Sequence, residues 1–572
     1  MPKTSETQGP LVLTLDVGTS SVRAMIWDRQ GNWLPGLEAE IEHSMTTTAD
    51  GGVETDPETL FKRTAKSIDA VLDLAGTRAS SIGAVGISTF WHSLIGVDSA
   101  GTPQTPLYTW ADTRSRKAAE ELKRRLDERQ VHGRTGCMIH TSYLPAKLLW
   151  LSQEHADVFA RVRSWMSFGE YLFLKLFDRP VVSLSMASGT GLFDQDTSTW
   201  DAPVLEALPI NVGQLGQLVD ANTGLSGLKK KWANRWPALR DVAWYPALGD
   251  GACSNVGSNC SRHERMGLMI GTSGAIRVLW KANGVPAPEG LWRYRLDAEH
   301  IVVGGAISNG GNLVRWLNAT LNLGKKRESA QQIAALAPDS HGLTVLPYLA
   351  GERSPGYRGD ARAAWTGLSL HTTPQEIARA SLESVSYSFA QLHDLLIAVA
   401  PAATEIVVNG GAILKRPYWM QITADVLGQR LIASSEAEAT SRGAALMALQ
   451  SLGEIAAIED APDHFGDAFG PDRDHYVTYQ QAAASQRKLY DLLLNVPGSP
   501  VPSGKGGQPV AEPPTIHVGG ARPATQRLPS DSSDNQIRQR GPNGRYLSGA
   551  GAPASPAETS APPLAKPGRT RK

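Results

Sequence analysis

The sequence has few cysteines, no long apolar run and no excess of charge of one sign. Its three cysteines, Cys137, Cys253 and Cys260, are too few and too scattered for a disulfide framework or a four-ligand zinc site, which predicts free thiols in a reducing cytoplasm. The first apolar stretch ends at Asp16, and no window is long enough for a membrane span or a signal-peptide core. The 56 basic and 56 acidic side chains balance, which argues against binding of nucleic acid or membranes through bulk charge. Small-molecule partners stay open.

The composition changes near residue 497. Residues 501–572 contain 12 Pro, 10 Gly and a single aromatic residue, Tyr546, with 10 basic and 4 acidic side chains. This predicts a disordered, basic, Pro/Gly-rich tail over residues 497–572. Residues 1–500 hold 46 basic and 52 acidic side chains, so the neutral total hides an acidic body and a basic tail.

The body alternates short β-rich runs with helical patterns, which is typical of an α/β fold. The predicted strands include residues 11–15, 22–27, 85–88, 301–303 and 405–408, and the predicted helices include residues 118–129, 312–323, 375–398 and 439–452.

An internal repeat links the two halves of the body. Residues 15–27 and 269–280 share one pattern, in which an apolar run is followed by Gly-Thr-Ser and a second apolar run. A hairpin turn rich in Gly and hydroxyl residues presents N–H and O–H groups that suit a phosphate chain. A single Gly-Thr-Ser is most often only a turn, but two in matching positions favour two similar lobes that face a nucleotide. No Walker motif is present, and no dinucleotide fingerprint occurs in its required context.

Two aspartates are candidates for chemistry. Asp16 ends an apolar strand beside the first turn, where it either holds Mg²⁺ near phosphates or caps the turn. Asp250 lies between Gly249 and Gly251, where a carboxylate either meets a substrate hydroxyl as a general base or stabilises a turn.

Three further segments are typical of ligand sites. Residues 90–93 and 108–114 mix aromatic and polar side chains, as polyol and sugar-acid sites do. The alternative for His92 is a structural histidine, and for Asp112 with Arg114 a local ion pair. Gly410-Gly411 follows a predicted strand, where a base or ribose can approach the backbone.

In this order, these segments resemble the FGGY carbohydrate kinases over roughly residues 10–490. Residues 363–368 and 376–383 resemble the C-terminal signature of that family. The resemblance implies an α/β fold of two actin-like, ribonuclease-H-like lobes around a central nucleotide and sugar cleft. It divides the chain into an N-terminal domain (10–252), a C-terminal domain (253–496) and the tail (497–572).

The resemblance also implies a cytoplasmic enzyme that uses ATP and Mg²⁺, with no nucleic-acid or membrane partner. Asp250 corresponds to the catalytic base, which also contacts the substrate, and Asp16 to the acidic residue near the metal. Trp91, His92 and Arg114 correspond to substrate-binding positions. The nucleotide-binding positions are Thr19, Ser20, Arg23, Gly271, Thr272, Gly311, Arg315, Gly411 and Lys415.

Several stretches, among them residues 351–356, look most like the members of the family that phosphorylate gluconate. This implies transfer of the γ-phosphoryl group to D-gluconate, a sugar acid whose carboxylate would bind His92, Arg114 or Arg353. Three alternatives stay open: a kinase of xylulose or another sugar or polyol, a non-catalytic sugar sensor, and an ATPase without a sugar substrate. A homodimer is also open.

Overall fold

The computed structural model describes residues 9–323, 326–495, 539–540 and 546–547. The first half is built around a sheet that begins with the hairpin predicted from the first Gly-Thr-Ser turn. Its strands are β1 Leu11–Val17, β2 Ser21–Trp27, β3 Trp33–Glu42, β4 Thr46–Thr47, β5 Val53–Thr55, β6 Ile82–Thr89, β7 Ile95–Val97, β8 Leu107–Tyr108, β9 Ser164–Met166, β10 Val181–Ser183, β11 Phe193–Asp194, β12 Thr199–Trp200, β13 Gln217–Val219, β14 Ala243–Trp244 and β15 Leu248–Gly249, and its helices are α1 Pro57–Ala75, α2 Arg116–Arg125, α3 Glu128–Thr135, α4 Leu144–Glu154, α5 Ala156–Arg161, α6 Phe168–Phe177, α7 Leu184–Ser188, α8 Ala202–Glu206, α9 Lys230–Arg235 and α10 Asp250–Gly257.

The second half begins with the other predicted hairpin. Its strands are β16 Arg265–Ile270, β17 Gly274–Lys281, β18 Trp292–Arg295, β19 His300–Ile307, β20 Thr344–Leu346, β21 Ala364–Thr366, β22 Glu405–Asn409, β23 Leu431–Ser434 and β24 Phe465–Phe469, and its helices are α11 Gly311–Thr320, α12 Lys326–Ala335, α13 Pro374–Ile397, α14 Gly411–Leu414, α15 Pro417–Leu427, α16 Ala439–Leu452 and α17 Arg473–Leu494.

The two main sheets have the same topology. The first has the order β14-β6-β1-β2-β3, with β15 also paired to β6, and the second contains β19-β17-β16-β22-β23 flanked by β18 and β24. In the first sheet β1, β2 and β3 pair antiparallel and β6 joins parallel to β1; in the second, β16, β17 and β19 pair antiparallel, β22 joins parallel to β16, and β23 joins parallel to β22. The first sheet packs in one apolar core and most of the second sheet in another, although Leu279, Trp292, Tyr294 and Val302 of the second sheet pack in the first core. The repeat predicted from the sequence is therefore a repeat of the whole sheet.

Helix α16 joins the two halves. It follows β23 of the second sheet, yet its Ala444, Leu446 and Leu449 pack in the core of the first half. It crosses α10 at short range, because Gly257 and Gly443 have no side chain at the crossing, where a Cβ atom would overlap the backbone of the other helix.

Capping explains where several helices begin. Asp56 accepts a hydrogen bond from the Thr59 N–H at 2.7 Å, and Pro57 stands at the first position of α1. The prediction of one helix over residues 118–129 is wrong, because α2 ends at Arg125. Asp127 then caps α3 by accepting from the N–H groups of the next turn.

The predicted boundary after residue 252 lies within α10 and stays a prediction. Most of the predicted disordered tail, residues 497–572, lies outside the described residues, apart from the short paired strands β25 Gln539–Arg540 and β26 Tyr546–Leu547. Within the described ranges, no helix has both the length and the apolar character of a membrane span.

Candidate active site

The two candidate aspartates lie at the same edge of the first sheet. Asp16 is in β1, and Asp250 directly follows β15 as the first residue of α10. Both strands run parallel to β6, where Ser88 is the register partner of Asp16 and of Leu248. The Ser88 hydroxyl donates to Asp16 Oδ1 at 3.3 Å. The fold thus brings together two carboxylates that are more than 230 residues apart in the sequence.

Two backbone groups orient the Asp250 carboxylate. The Gly251 N–H donates to Asp250 Oδ1 at 2.8 Å, and the Trp91 N–H also donates to this carboxylate. Burial raises the pKa of Asp250, while Arg277 and these hydrogen bonds oppose the rise. The carboxylate therefore has fixed donors on one side and is placed to accept a proton on the other.

The two Gly-Thr-Ser segments form the predicted tight turns. The Gly18 N–H donates to the Ser21 carbonyl, and the Gly271 N–H donates to the Ser273 carbonyl, each at 2.9 Å. Ser20 and Thr272 are exposed at the turn tips, with Thr19 half-buried. Both turns thus leave hydroxyl groups accessible, as a phosphate site needs.

Several predicted nucleotide positions converge on the second turn. The Gly311 N–H donates to the Gly271 carbonyl at 2.8 Å, which places the N-terminus of α11 against this turn. A Cβ on Gly311 would lie 2.9 Å from that of Ala412, the neighbour of Gly411. The end of the Lys415 side chain lies beside Gly411, whereas Arg315 is exposed one turn along α11. Their contacts with nucleotide stay predictions.

Trp91 forms an aromatic wall beside Asp250. Its indole is 5% exposed, and its Nε1 donates to the Ser185 carbonyl at 2.9 Å. The ring lies against the backbone of Gly249 and Gly251, where side chains would collide with it. The two glycines that suggested a turn in the sequence therefore make room for this indole.

His92 is a neutral hydrogen-bonding group. Burial holds its pKa well below the usual range, and Arg353 lowers it further. Its Nδ1 contacts the Gly189 carbonyl, which assigns the proton to Nδ1 and leaves Nε2 as an acceptor. His92 thus suits a substrate hydroxyl, and the prediction that it pairs with a carboxylate as a cation is not supported by this environment.

Arg114 and Arg353, the two arginine candidates for the substrate carboxylate, have different surroundings. Arg114 donates to Glu54 and to Asp112, so its guanidinium is already engaged by two carboxylates. This matches the alternative of a local ion pair, so the predicted substrate contact of Arg114 is disfavoured. Arg353 lies over the Trp110 ring at 5.2 Å and lines the cleft, whose volume is about 990 Å³.

Family comparisons match most of this chain. The FGGY family of carbohydrate kinases, N-terminal domain, matches residues 11–257, and the C-terminal domain of the same family matches residues 266–452. The chain belongs to the FGGY family. The predicted family, its two-lobed actin-like fold and a carbohydrate kinase that uses ATP with Mg²⁺ are thereby confirmed.

FGGY kinases named for different sugars are similar to this chain. Gluconokinase from Bacillus licheniformis is 26% identical over 497 residues, which are 85% of this chain and 95% of the relative. A ligand-bound xylulose kinase and a gluconate kinase, both from Lactobacillus acidophilus, superpose with TM-scores of 0.79 and 0.78. Each is 26% identical, and each match covers 85% of this chain and 98% of the other. The sugar must therefore be argued from the site.

The surroundings of Asp16 fit the Mg²⁺ that FGGY kinases use. Burial raises the pKa of Asp16 to about 7, and Glu438 and Asp250 add to this effect while Arg23 opposes it. Carboxylates gathered in a buried place are stabilised by a hard divalent cation, which prefers oxygen ligands. Arg23 lies 2.8 Å from Glu40 and 3.8 Å from Asp16, so its predicted phosphate contact stays a prediction.

Two features of this FGGY site were not predicted from the sequence. The hydroxyl groups of Tyr143 and Tyr294 meet at 2.7 Å across the two halves, beside the Trp91 and His92 rings. Arg277, in β17, is the charged group that lowers the pKa of Asp250 most. An arginine in an otherwise apolar strand was the available signal for Arg277, and Arg23 shows the same signal in the first hairpin.

Proposed function

We propose that this FGGY kinase transfers the γ-phosphoryl group of ATP to the terminal hydroxyl of D-gluconate, giving 6-phosphogluconate in the cytoplasm. The observation that supports a sugar acid best is the cationic wall of the cleft. Six cations and three carboxylates line it, and three of the cations, Arg116, Lys117 and Arg353, form no ion pair within the described part of the chain. The gluconate-specific names of two relatives agree with this choice. Xylulose is the alternative, because xylulose kinases are equally similar.

Asp250 is the proposed general base. The acceptor oxygen forms the new bond to phosphorus, the bond from phosphorus to the bridging oxygen of the leaving ADP breaks, and the acceptor proton goes to the Asp250 carboxylate. The Gly251 N–H, at 2.8 Å, holds this carboxylate in one orientation. General base catalysis of this kind contributes about 10²- to 10⁴-fold to the rate.

Other residues of this chain bind the reactants. Asp16 would hold Mg²⁺, which neutralises charge on the phosphates when it is bound. The Thr19-Ser20 and Gly271-Thr272 turns offer hydroxyl and N–H donors to those phosphates.

The sugar is held on the other side of Asp250. Trp91 covers its C–H surface, and His92 Nε2 accepts from a hydroxyl. Arg353 takes the carboxylate.

The test is an ADP-release assay of the purified chain with ATP and Mg²⁺, in the presence of gluconate, xylulose, glycerol or no acceptor. We expect release that depends on gluconate. A higher kcat/KM with xylulose than with gluconate would make xylulose the acceptor. ADP release without any acceptor would indicate an ATPase, and sugar binding without ADP release would indicate a sensor.

The same assay tests the base. Asp250→Asn lowers kcat by at least about 100-fold and leaves ATP affinity unchanged, whereas the exposed Asp241→Asn serves as a control with normal turnover. A near-normal rate in the Asp250 variant would contradict its assignment.

A further inference from the structure

Arg277 is a buried arginine whose guanidinium has no hydrogen-bond partner among the residues that the structure describes. It is 7% exposed, and its Nε is buried without an acceptor. Other buried arginines of the second half donate to a carboxylate or a carbonyl: Arg265 to Asp463, Arg295 to the Gln195 carbonyl and Arg442 to the Gly257 carbonyl. A buried guanidinium whose donors have no acceptor is costly even near an opposite charge, so Arg277 differs from these structural arginines and has donors free for an anionic ligand.

The strand turns Arg277 toward the first half of the molecule. Its neighbours Ile276 and Val278 pack in the core of the second half, whereas Leu279, two residues along, packs in the core of the first half. Side chains alternate across a strand, so Arg277 shares the face of Leu279. This face meets the edge of the first sheet at Asp250.

Two glycines leave room for the side chain along its path. A Cβ on Gly304, the register partner of Arg277 in β19, would lie 2.9 Å from Arg277 Cγ. A Cβ on Gly251 would lie 3.0 Å from Arg277 Nε and 3.1 Å from its Cζ. The guanidinium therefore lies directly against the residue that follows Asp250.

The guanidinium stays charged in this position. Burial lowers the pKa of Arg277 to about 10, and Asp250 opposes that effect more strongly than Tyr294 does, while Arg353 adds to it. A charged, planar guanidinium with unused donors binds phosphate oxygens in a bidentate manner.

We propose that Arg277 binds the phosphoryl group during its transfer and, after it, the phosphate of the product. This inference rests on the proposed function of Asp250. The acceptor oxygen that gives its proton to Asp250 is the oxygen that bonds to phosphorus, so the phosphate forms beside this carboxylate. The acceptor carboxylate is at the opposite end of a six-carbon chain, and the proposed function assigns it to Arg353.

Titration calorimetry without ATP tests this assignment, because it compares gluconate with 6-phosphogluconate on the same protein. In Arg277→Met the affinity for 6-phosphogluconate falls by at least about 30-fold, and the affinity for gluconate changes by less than about threefold. Arg277→Lys gives an intermediate loss of affinity for 6-phosphogluconate, since the compact ammonium keeps the charge but not the paired donors of the planar guanidinium. In turnover assays kcat falls by about 10²- to 10³-fold in Arg277→Met. This is the loss expected when an enzyme loses one hydrogen-bond donor to the charge that develops in the transition state.

Arg265→Met is the matched control. Arg265 is a buried arginine in the other strand of the same hairpin, but its partners are Asp463 and Glu405, so the ratio of the two affinities stays as in the wild type. Thermal unfolding and ATP binding of each variant separate loss of the fold from loss of the phosphate site.

Two results would overturn the proposal: unchanged affinity for 6-phosphogluconate in Arg277→Met, or a parallel loss for both ligands, which would place Arg277 at the carboxylate. If the wild type binds neither ligand and turns over xylulose, the gluconate proposal falls by itself. The same comparison with xylulose and its phosphate ester then decides the role of Arg277.

Discussion

Gly251→Ala tests whether the space between Trp91 and Arg277 is essential for turnover. The added Cβ would lie 2.6 Å from Trp91 Cζ3 and 3.0 Å from Arg277 Nε. Favourable carbon contacts begin near 3.5 Å, so the indole must move by about 1 Å. The backbone N–H that orients Asp250 is kept, which makes the substitution a purely steric change.

The expected effect on stability is small, because two terms oppose each other. Gly251 is the second residue of α10, and replacing a helical Gly by Ala gains about 1 kcal/mol. Overpacking against a rigid indole costs about 1–3 kcal/mol. The free energy of unfolding therefore falls by no more than about 2 kcal/mol.

The expected effect on turnover is large. A misplacement of about 1 Å at a catalytic site lowers the rate by about 100-fold, so kcat for the acceptor falls by this factor while the KM for ATP stays within about twofold. The control is Gly133→Ala in α3, where no atom lies within 4 Å of the added Cβ. We expect this control to be more stable by about 1 kcal/mol and fully active. A kcat within threefold of the wild type in Gly251→Ala would refute the reasoning.

Three further substitutions test charged groups in and around the site. In the absence of Mg²⁺ and ATP, Asp16→Asn raises the free energy of unfolding at pH 8 by up to about 4 kcal/mol. The folded pKa of about 7 exceeds the unfolded value of 3.8, so Asp16 lowers the stability progressively from about pH 4 to pH 7, and the full cost is present above pH 7. Urea unfolding should show a smaller gain at pH 5, and an equal gain at both pH values would contradict the prediction. Arg353→Leu raises the KM for gluconate at least about tenfold and leaves the KM for xylulose unchanged in the same assay, whereas an equal rise for both sugars would place Arg353 elsewhere. Arg114→Leu instead lowers the melting temperature, because it leaves Asp112 buried without its partner.

Local patterns were sufficient to predict the frame of this fold. The two hairpins follow from apolar runs around Gly-Thr-Ser, and α16 has the predicted bounds, residues 439–452. The edge that joins Asp16 and Asp250 could not be derived in this way, because β15 has only two residues and pairs with a strand about 160 positions earlier.

Tertiary contacts decided the remaining features. Asp112 with Arg114 suggested a sugar site, but Glu54 from a distant strand completes an ion-pair cluster. Gly249 and Gly251 suggested a turn, and only the folded chain shows the Trp91 indole lying against them. The two apolar strands β2 and β17 each contain one arginine, Arg23 and Arg277. Their sequence patterns are alike, so periodicity cannot show which arginine faces Asp250.

The proposed base and the proposed phosphate ligand come from different halves of the chain. Asp250 begins α10, whose C-terminal Gly257 carbonyl accepts from Arg442 of α16, while Arg277 lies in the second sheet. A rotation of one half against the other about the α10–α16 crossing would therefore change the distance between Asp250 and Arg277. If both proposed roles hold, transfer requires the arrangement in which Arg277 lies against Gly251. Separation of the halves would admit water, so the contact that completes the proposed site would also limit hydrolysis of ATP.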